Sequence, residues 1–326
     1  MRQKLATSFN KDTVKNQLSL NMPWMKKKWF LYLCLFTLAI SVRLFVASRD
    51  PFLNRWDEQF HALVAKHLVL HPLKPTLFEH NLIPFDYKNW DQNEIWLHKQ
   101  PLFLWQIALS IRLFGTNELA VRAPSILVSA LMVLLLCSIA LKLSNRRTAI
   151  IAALLLIFLQ FELALVSGAL GMDHNDISFS FYLLASFWAW LKYRSNTKTY
   201  WAIIIGLFCG AAMLCKWLTG IWIIGIWGFY LIIRLIQKQN KKEISKEFRH
   251  LFLSLITSGI VFIPWQLYCY LHYPAEFKQE YWLNAHHFNY VVEGHEGPWY
   301  FHFKHLFTLY NWLYIPLIAS ILLIKN

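Results

Sequence analysis

What this chain has least of is charge, and acidic charge above all. Charged residues fill 15% of its 326 positions, and 18 Asp and Glu stand against 32 Lys and Arg. Soluble domains carry about a quarter of their residues as charges, so an ordinary water-facing surface is excluded. Cysteine is also scarce. Cys34, Cys137, Cys209, Cys215 and Cys269 lie in or at the ends of apolar runs, and no pair has zinc-ligand or redox spacing, so they read as small core residues. No repeat or low-complexity tract is present, and no soluble nucleotide-binding domain that would hold a nucleotide sugar.

Hydrocarbon takes the place of charge. Hydrophobic residues make up 57% of the chain, and runs such as Ile126 to Leu143 are almost uncharged. About twenty consecutive apolar residues cross a bilayer as a helix, so the chain reads as an integral membrane protein. The fold class expected is an all-α polytopic bundle of about eight transmembrane helices: Trp29 to Ser48, Leu119 to Leu141, Thr148 to Ser167, Ile177 to Leu191, Tyr200 to Leu214, Leu218 to Ile236, Leu251 to Leu271, and Leu306 to Ile324. Sixteen Trp residues suit the belts that form at membrane interfaces.

The net charge of +14 raises the question of a nucleic-acid partner. Its placement answers it. Basic residues gather at Lys26 to Lys28, at Lys142 with Arg146 and Arg147, at Lys192 with Arg194 and Lys198, and from Arg234 to Arg249, in every second connection. Positive charge stays on the cytoplasmic side, so the amino terminus is expected inside, the acidic connections outside, and no nucleic acid is implied. The multi-pass chain is thus expected in a cell membrane, a bacterial inner membrane fitting best.

Two long segments fall outside. Arg49 to Glu118 has helical periodicity at Glu58 to Leu70 and at Pro101 to Phe114, two amphipathic stretches that suit surface helices. His272 to His305 reads as a loop rich in aromatics, His and Glu.

The residues that could do chemistry collect on this outer side. Asp57 and Glu58 follow the first span, after Trp56, where a carboxylate would meet the headgroup of a lipid-linked substrate. First-turn acids are also favoured by the helix dipole alone. His61 lies one turn on and could orient Asp57 or bind a metal with it. Asp173 to Asp176 puts two acids in a short connection beside hydrocarbon, where each is costly without a role. Lys99 precedes a helix that Pro101 opens, and Lys216 stands in a tight hairpin between two apolar runs, where it can meet a phosphate or snorkel to headgroups. His295 to Tyr300 offers an imidazole, an acid and the aromatic Trp299, a combination suited to a sugar. No cofactor is implied. The histidines of the last loop leave a divalent metal open, though none has ligand spacing.

As an ordered set, Trp56-Asp57-Glu58, His98-Lys99-Gln100-Pro101-Leu102, Phe114-Gly115 through Arg122-Ala123-Pro124-Ser125, Asp176, Lys216 and His295 to Tyr300 resemble the GT-C class of membrane glycosyltransferases. The resemblance is to the protein O-mannosyltransferase branch that includes the lipid A aminoarabinose transferases. It implies inverting transfer of a sugar from a polyprenyl-phosphate or dolichyl-phosphate donor to a lipid, glycan or protein acceptor on the extracytoplasmic face. By the same resemblance Asp57 is the catalytic base and Lys99 and Lys216 are phosphate contacts. Asp176 holds the acceptor or orders the base, and Glu58, His295 and Trp299 belong to the substrate site. Gln100 stands where the family usually shows a proline. Residues 1–326 would form one transmembrane glycosyltransferase domain, without the C-terminal helices and soluble domain usual in the family. A lipid or sugar transporter and a non-catalytic assembly partner are the rival readings. A transporter would place its charges near the midplane in two related halves, whereas here they gather at one face.

Overall fold

In a computed structural model the described residues are 28–80, 84–169 and 174–286, with isolated positions beyond. They form eleven α-helices, and the sole β-pairing among them is an isolated bridge between Thr76 and Ile95. The chain enters through α1 (Lys28–Ala47) and emerges into α2 (Asp57–Leu68) and α3 (Pro101–Phe114). It then returns through α4 (Glu118–Leu143). Helices α5 (Arg146–Ile157), α6 (Gln160–Ser167), α7 (His174–Ser195) and α8 (Thr199–Lys216) follow. A 3-10 turn, Trp217–Ile221, leads to α9 (Trp222–Ile236), α10 (Lys241–His272) and α11 (Pro274–His286).

Four helical stretches are long and apolar enough to cross a membrane: Lys28–Ala47, Glu118–Leu143, Thr199–Ile236 and Lys241–His272. The bent pair Arg146–Ile157 and Gln160–Ser167 makes a fifth if it counts as one span. The protein is therefore a multi-pass membrane protein. Of the eight expected runs, Leu306 to Ile324 lies outside the described residues apart from Ile315. The run Ile177 to Leu191 falls within α7, whose serines and amphipathic residues lower its hydropathy; it packs instead against α4 and α8. The two runs within Thr199–Ile236 fold back on each other. Gly220 sits so close to the backbone of Ala212 and Met213 that a Cβ there would clash with the Met213 amide nitrogen. Cys209 of α8 and Trp227 of α9 then share one apolar cluster with Ala189 of α7.

Three expectations change. The single span Thr148 to Ser167 is broken, with a 46° bend between α5 and α6. A helix end leaves carbonyls without intrahelical partners. Arg43, fully buried in α1, donates to the carbonyl of Leu156 at 3.4 Å and to Ser129 Oγ at 2.5 Å. Ser129 in turn donates to Glu162 of α6 at 2.8 Å, so a polar set inside the bundle fixes the break. Next, the basic connection before Leu251 is helical: α10 begins at Lys241, and its 32 residues reach about 48 Å, well beyond the hydrocarbon. Finally, the outer loop after His272 opens as α11, with Pro274 in its first turn, where a missing amide proton costs nothing.

Between α1 and α4, the helices α2 and α3 behave as their periodicity predicts. They pack face to face and onto the start of α4, burying Val64, Leu68, Phe103, Ile107 and Val121 in one cluster. His61 belongs to this core. It is fully buried, its ring edge-on to Phe103 at 4.7 Å and to Trp96 at 5.8 Å.

Candidate active site

One end of the bundle gathers the C-terminal ends of α1, α6, α8 and α10 and the N-terminal ends of α4 and α7, with α2, α3 and α11 laid across it. Its centre is the first turn of α7. Just inside that turn Glu58 is 1% exposed and makes a double ion pair with Arg122 of α4, Nε to Oε1 at 2.7 Å and Nη2 to Oε2 at 3.1 Å. The guanidinium uses its other donors on the carbonyls of Ala47, Asp50 and Phe52, at 2.8, 2.6 and 2.8 Å. The backbone amide of Asn54 adds a hydrogen bond to Glu58 at 2.6 Å.

His174 completes the knot. Its Nε2 lies 3.1 Å from Glu58 Oε1 and its Nδ1 3.1 Å from Ser125 Oγ. A carboxylate only accepts, so Nε2 carries a proton there. Burial alone would raise the Glu58 carboxyl, but His174, Arg122 and the Asn54 amide together outweigh it and hold the group at about 2. Enclosed by three protein partners, Glu58 fastens α2 to α4 and α7. Gly168, the residue after α6, presses on the same carboxylate: its φ is +68°, and a Cβ would lie 2.6 Å from Glu58 Cδ. Glycine is required there twice over, for its backbone conformation and for its missing side chain.

Just outside the knot the groups are only partly covered. Asp57, half-buried, is the first residue of α2. On α7, two residues beyond His174, Asp176 forms an ion pair with Lys216, whose side chains are 34% and 46% exposed. Lys216 is the last residue of α8. Both ends are held in backbone conformations that L-residues rarely adopt. Trp56, before Asp57, has φ 68°, and Trp217, after Lys216, has φ 53°. Such positions cost about 1–3 kcal/mol each and concentrate at functional sites.

An aromatic wall leads from Asp57 toward Lys99. Trp56 stacks on Phe60 at 6.4 Å, Phe60 meets Trp90 at 5.0 Å, and Trp90 stacks on His98 at 4.6 Å. His98 Nδ1 lies 3.6 Å from the buried carboxylate of Glu280 on α11. Gln100 stands at the N-cap position of α3, and its side chain accepts a 2.7 Å hydrogen bond from Gln266 of α10. Tyr281 of α11 donates to the same Gln266 at 3.1 Å and packs edge-on against Trp217 at 4.9 Å. Asp57, Lys99, Asp176 and Lys216 therefore share one end of the bundle. Asp173, His295 and Trp299 lie outside the described residues. Among the described residues no three His, Cys, Asp or Glu side chains gather as a metal site.

Sequence reasoning missed the partners of Glu58, although Arg122 and His174 both stood in quoted motifs. It also missed Arg43 as the counterpart of Glu162. The available signal was a cation inside an apolar run, which calls for a named partner.

The family model for dolichyl-phosphate-mannose-protein mannosyltransferases matches residues 98–268, just over half of the chain. The chain belongs to this family. The match runs from His98 through most of α10. An undecaprenyl phosphate-alpha-4-amino-4-deoxy-L-arabinose arabinosyl transferase of Pseudomonas fluorescens is 25% identical over 91% of this chain and 48% of its own length. Its namesake in Pseudomonas aeruginosa is 26% identical over 66% of this chain and 36% of its own length. The chain thus spans about half, or less, of the curated relatives it matches. Among solved structures, ArnT from Cupriavidus metallidurans bound to undecaprenyl phosphate superposes with a TM-score of 0.65 at 15% identity, over 87% of this chain and 49% of that one. The Archaeoglobus fulgidus oligosaccharyltransferase AglB, in complex with an inhibitory peptide and a dolichol-phosphate, gives 0.53 at 16% identity, over 81% and 34%. The fold is that of the GT-C membrane glycosyltransferases.

Proposed function

We propose that the chain transfers a sugar from a polyprenyl-phosphate donor to an acceptor hydroxyl on the extracytoplasmic face, with inversion at the anomeric carbon. The observation that carries this reading is the first turn of α7, which fastens the α2 end bearing Asp57 through His174 and pairs with Lys216 through Asp176. A base and a cation held at one rim are what the reaction needs. The acceptor oxygen attacks the anomeric carbon, its proton passes to Asp57, and the bond to the phosphate oxygen breaks. The lipid phosphate leaves with the bonding electrons, and Lys216 and Lys99 offset the charge that grows on it.

Asp176 has the ordering role. It holds the Lys216 ammonium in position and yields it to the arriving phosphate. Glu58 is a positioning residue that fixes the start of α2. The relatives are named for undecaprenyl-phosphate donors, and the ArnT structure holds undecaprenyl phosphate on the same fold; both support this donor class. The amino terminus is cytoplasmic, from the distribution of basic residues.

Asp57→Asn keeps size and loses the base. Mass spectrometry of membrane lipids, surface glycans and proteins should show the sugar-modified product with the wild-type chain and a transfer rate lower by about 10²–10⁴ with the variant, at equal membrane abundance. Unchanged transfer by that variant would refute the assignment.

A further inference from the structure

The opposite end of the bundle carries a feature that the catalytic reading does not use. Between α1, α4 and α7 an apolar groove of about 370 Å³ opens at the surface of the bundle, lined by Tyr32, Leu134, Leu135, Ser138, Phe181 and Trp188. Its lower wall is fixed by a 3.0 Å hydrogen bond from Trp188 Nε1 to Ser138 Oγ. One helical turn beyond the groove, toward the basic end, each of the three helices bears a lysine: Lys28 four residues before Tyr32 on α1, Lys142 four after Ser138 on α4, and Lys192 four after Trp188 on α7. Residues four apart share a helix face, so all three cations stand over the mouth.

The crown is ordered rather than loose. Lys192 lies over the Trp188 ring, 5.4 Å from its centroid. Lys142 donates to the carbonyl of Leu191 and to Ser195 Oγ, which pulls it onto α7. Among the described residues no carboxylate lies within ion-pair distance of Lys142 or Lys192, whereas nearby Arg194 and Arg234 are matched by Glu247. Positive charge without its acid sits at one end of a hydrocarbon-lined slot. That end is the one the sequence places in the cytoplasm.

We infer that this groove is a binding site for an anionic diacyl phospholipid of the inner leaflet, one acyl chain lying along Leu134, Leu135 and Phe181 and the phosphate between Lys28, Lys142 and Lys192. Basic pockets between transmembrane helices on the cytoplasmic side select anionic headgroups in this way. The site lies at the far end of the bundle from Asp57 and Lys216, and it stands whether or not the transfer reaction does.

Native mass spectrometry of the purified full chain, delipidated and then titrated with phosphatidylglycerol or phosphatidylethanolamine of matched acyl chains, tests it. Phosphatidylglycerol should bind roughly tenfold more tightly, and Lys28→Gln with Lys192→Gln should reduce that preference to below about threefold. Lys142 is left in place because it also ties α4 to α7. A second variant, Leu134→Trp, fills the groove without touching charge and should weaken both lipids. Equal affinity of the wild type for the two lipids would overturn the proposal, as would a preference that survives in the lysine variant. Tighter binding of undecaprenyl phosphate than of phosphatidylglycerol, lost in the same lysine variant, would also overturn it, by making the groove a carrier site.

Discussion

Two carboxylate–cation pairs flank the first turn of α7, and they are built in opposite ways. Glu58 is 1% exposed, accepts from Arg122 twice, and is further held by His174 and Asn54. Asp176 and Lys216 are 34% and 46% exposed. The buried pair gains its stability from completeness: removing any member strands a charge where water cannot reach it. The exposed pair is worth little as an ion pair, since solvated pairs contribute about 0–1 kcal/mol. In the proposed reaction it keeps an ammonium in place near the surface, where the donor phosphate would take it over. The same turn thus carries a buried pair on one side and an exposed pair on the other.

The largest expected effect falls on the scaffold. Arg122→Ala should cost about 3–5 kcal/mol, or prevent stable folding, as read from thermal melting of the detergent-solubilised protein. A loss below about 1 kcal/mol would show that the knot is not a fastening. Acid should act on the same side. Because the folded carboxyl of Glu58 is held at about 2, below its ordinary 4.5, its contribution is complete above about pH 4.5 and is lost as the pH falls toward 2. Glu58→Gln should flatten that part of the melting-temperature profile, and an identical acid loss in both proteins would remove the knot's role. Gly168→Ala places a methyl group against the Glu58 carboxylate at a positive φ and should destabilise by about 1–3 kcal/mol in the same melting experiment. The smallest effect belongs to the other pair: Asp176→Asn should shift stability by under about 1 kcal/mol. A shift as large as that of Arg122→Ala would erase the contrast.

Most of the membrane architecture was legible because hydrocarbon and charge placement are read directly along the chain. Helices α1 and α4 lie within a few residues of the spans expected, and α3 runs Pro101–Phe114 as its periodicity suggested. The break between α5 and α6 was not legible. No glycine or proline marks it, and its cause is a side chain from α1, Arg43, over a hundred residues away in sequence. Helix α11 was hidden for a different reason. Its surface is mixed rather than striped, so it lacks a clear apolar period, and it is held by polar contacts to His98 and Gln266. At the site, residue types pointed to Asp57, Asp176, Lys99 and Lys216 as one group. Which acid was enclosed and which was open depended on tertiary contacts. Glu58 and Asp57 are neighbours in sequence, and only the fold separates the one locked by Arg122 from the one at the rim.

The central claim is that Lys216 receives the phosphate of a polyprenyl carrier. Its most direct test is the affinity of the purified protein for undecaprenyl phosphate, measured with the wild type and with Lys216→Ala at equal thermal stability. The account predicts binding weaker by about tenfold in the variant, the loss of one charge-assisted contact. Equal affinity, with the fold intact, would contradict it.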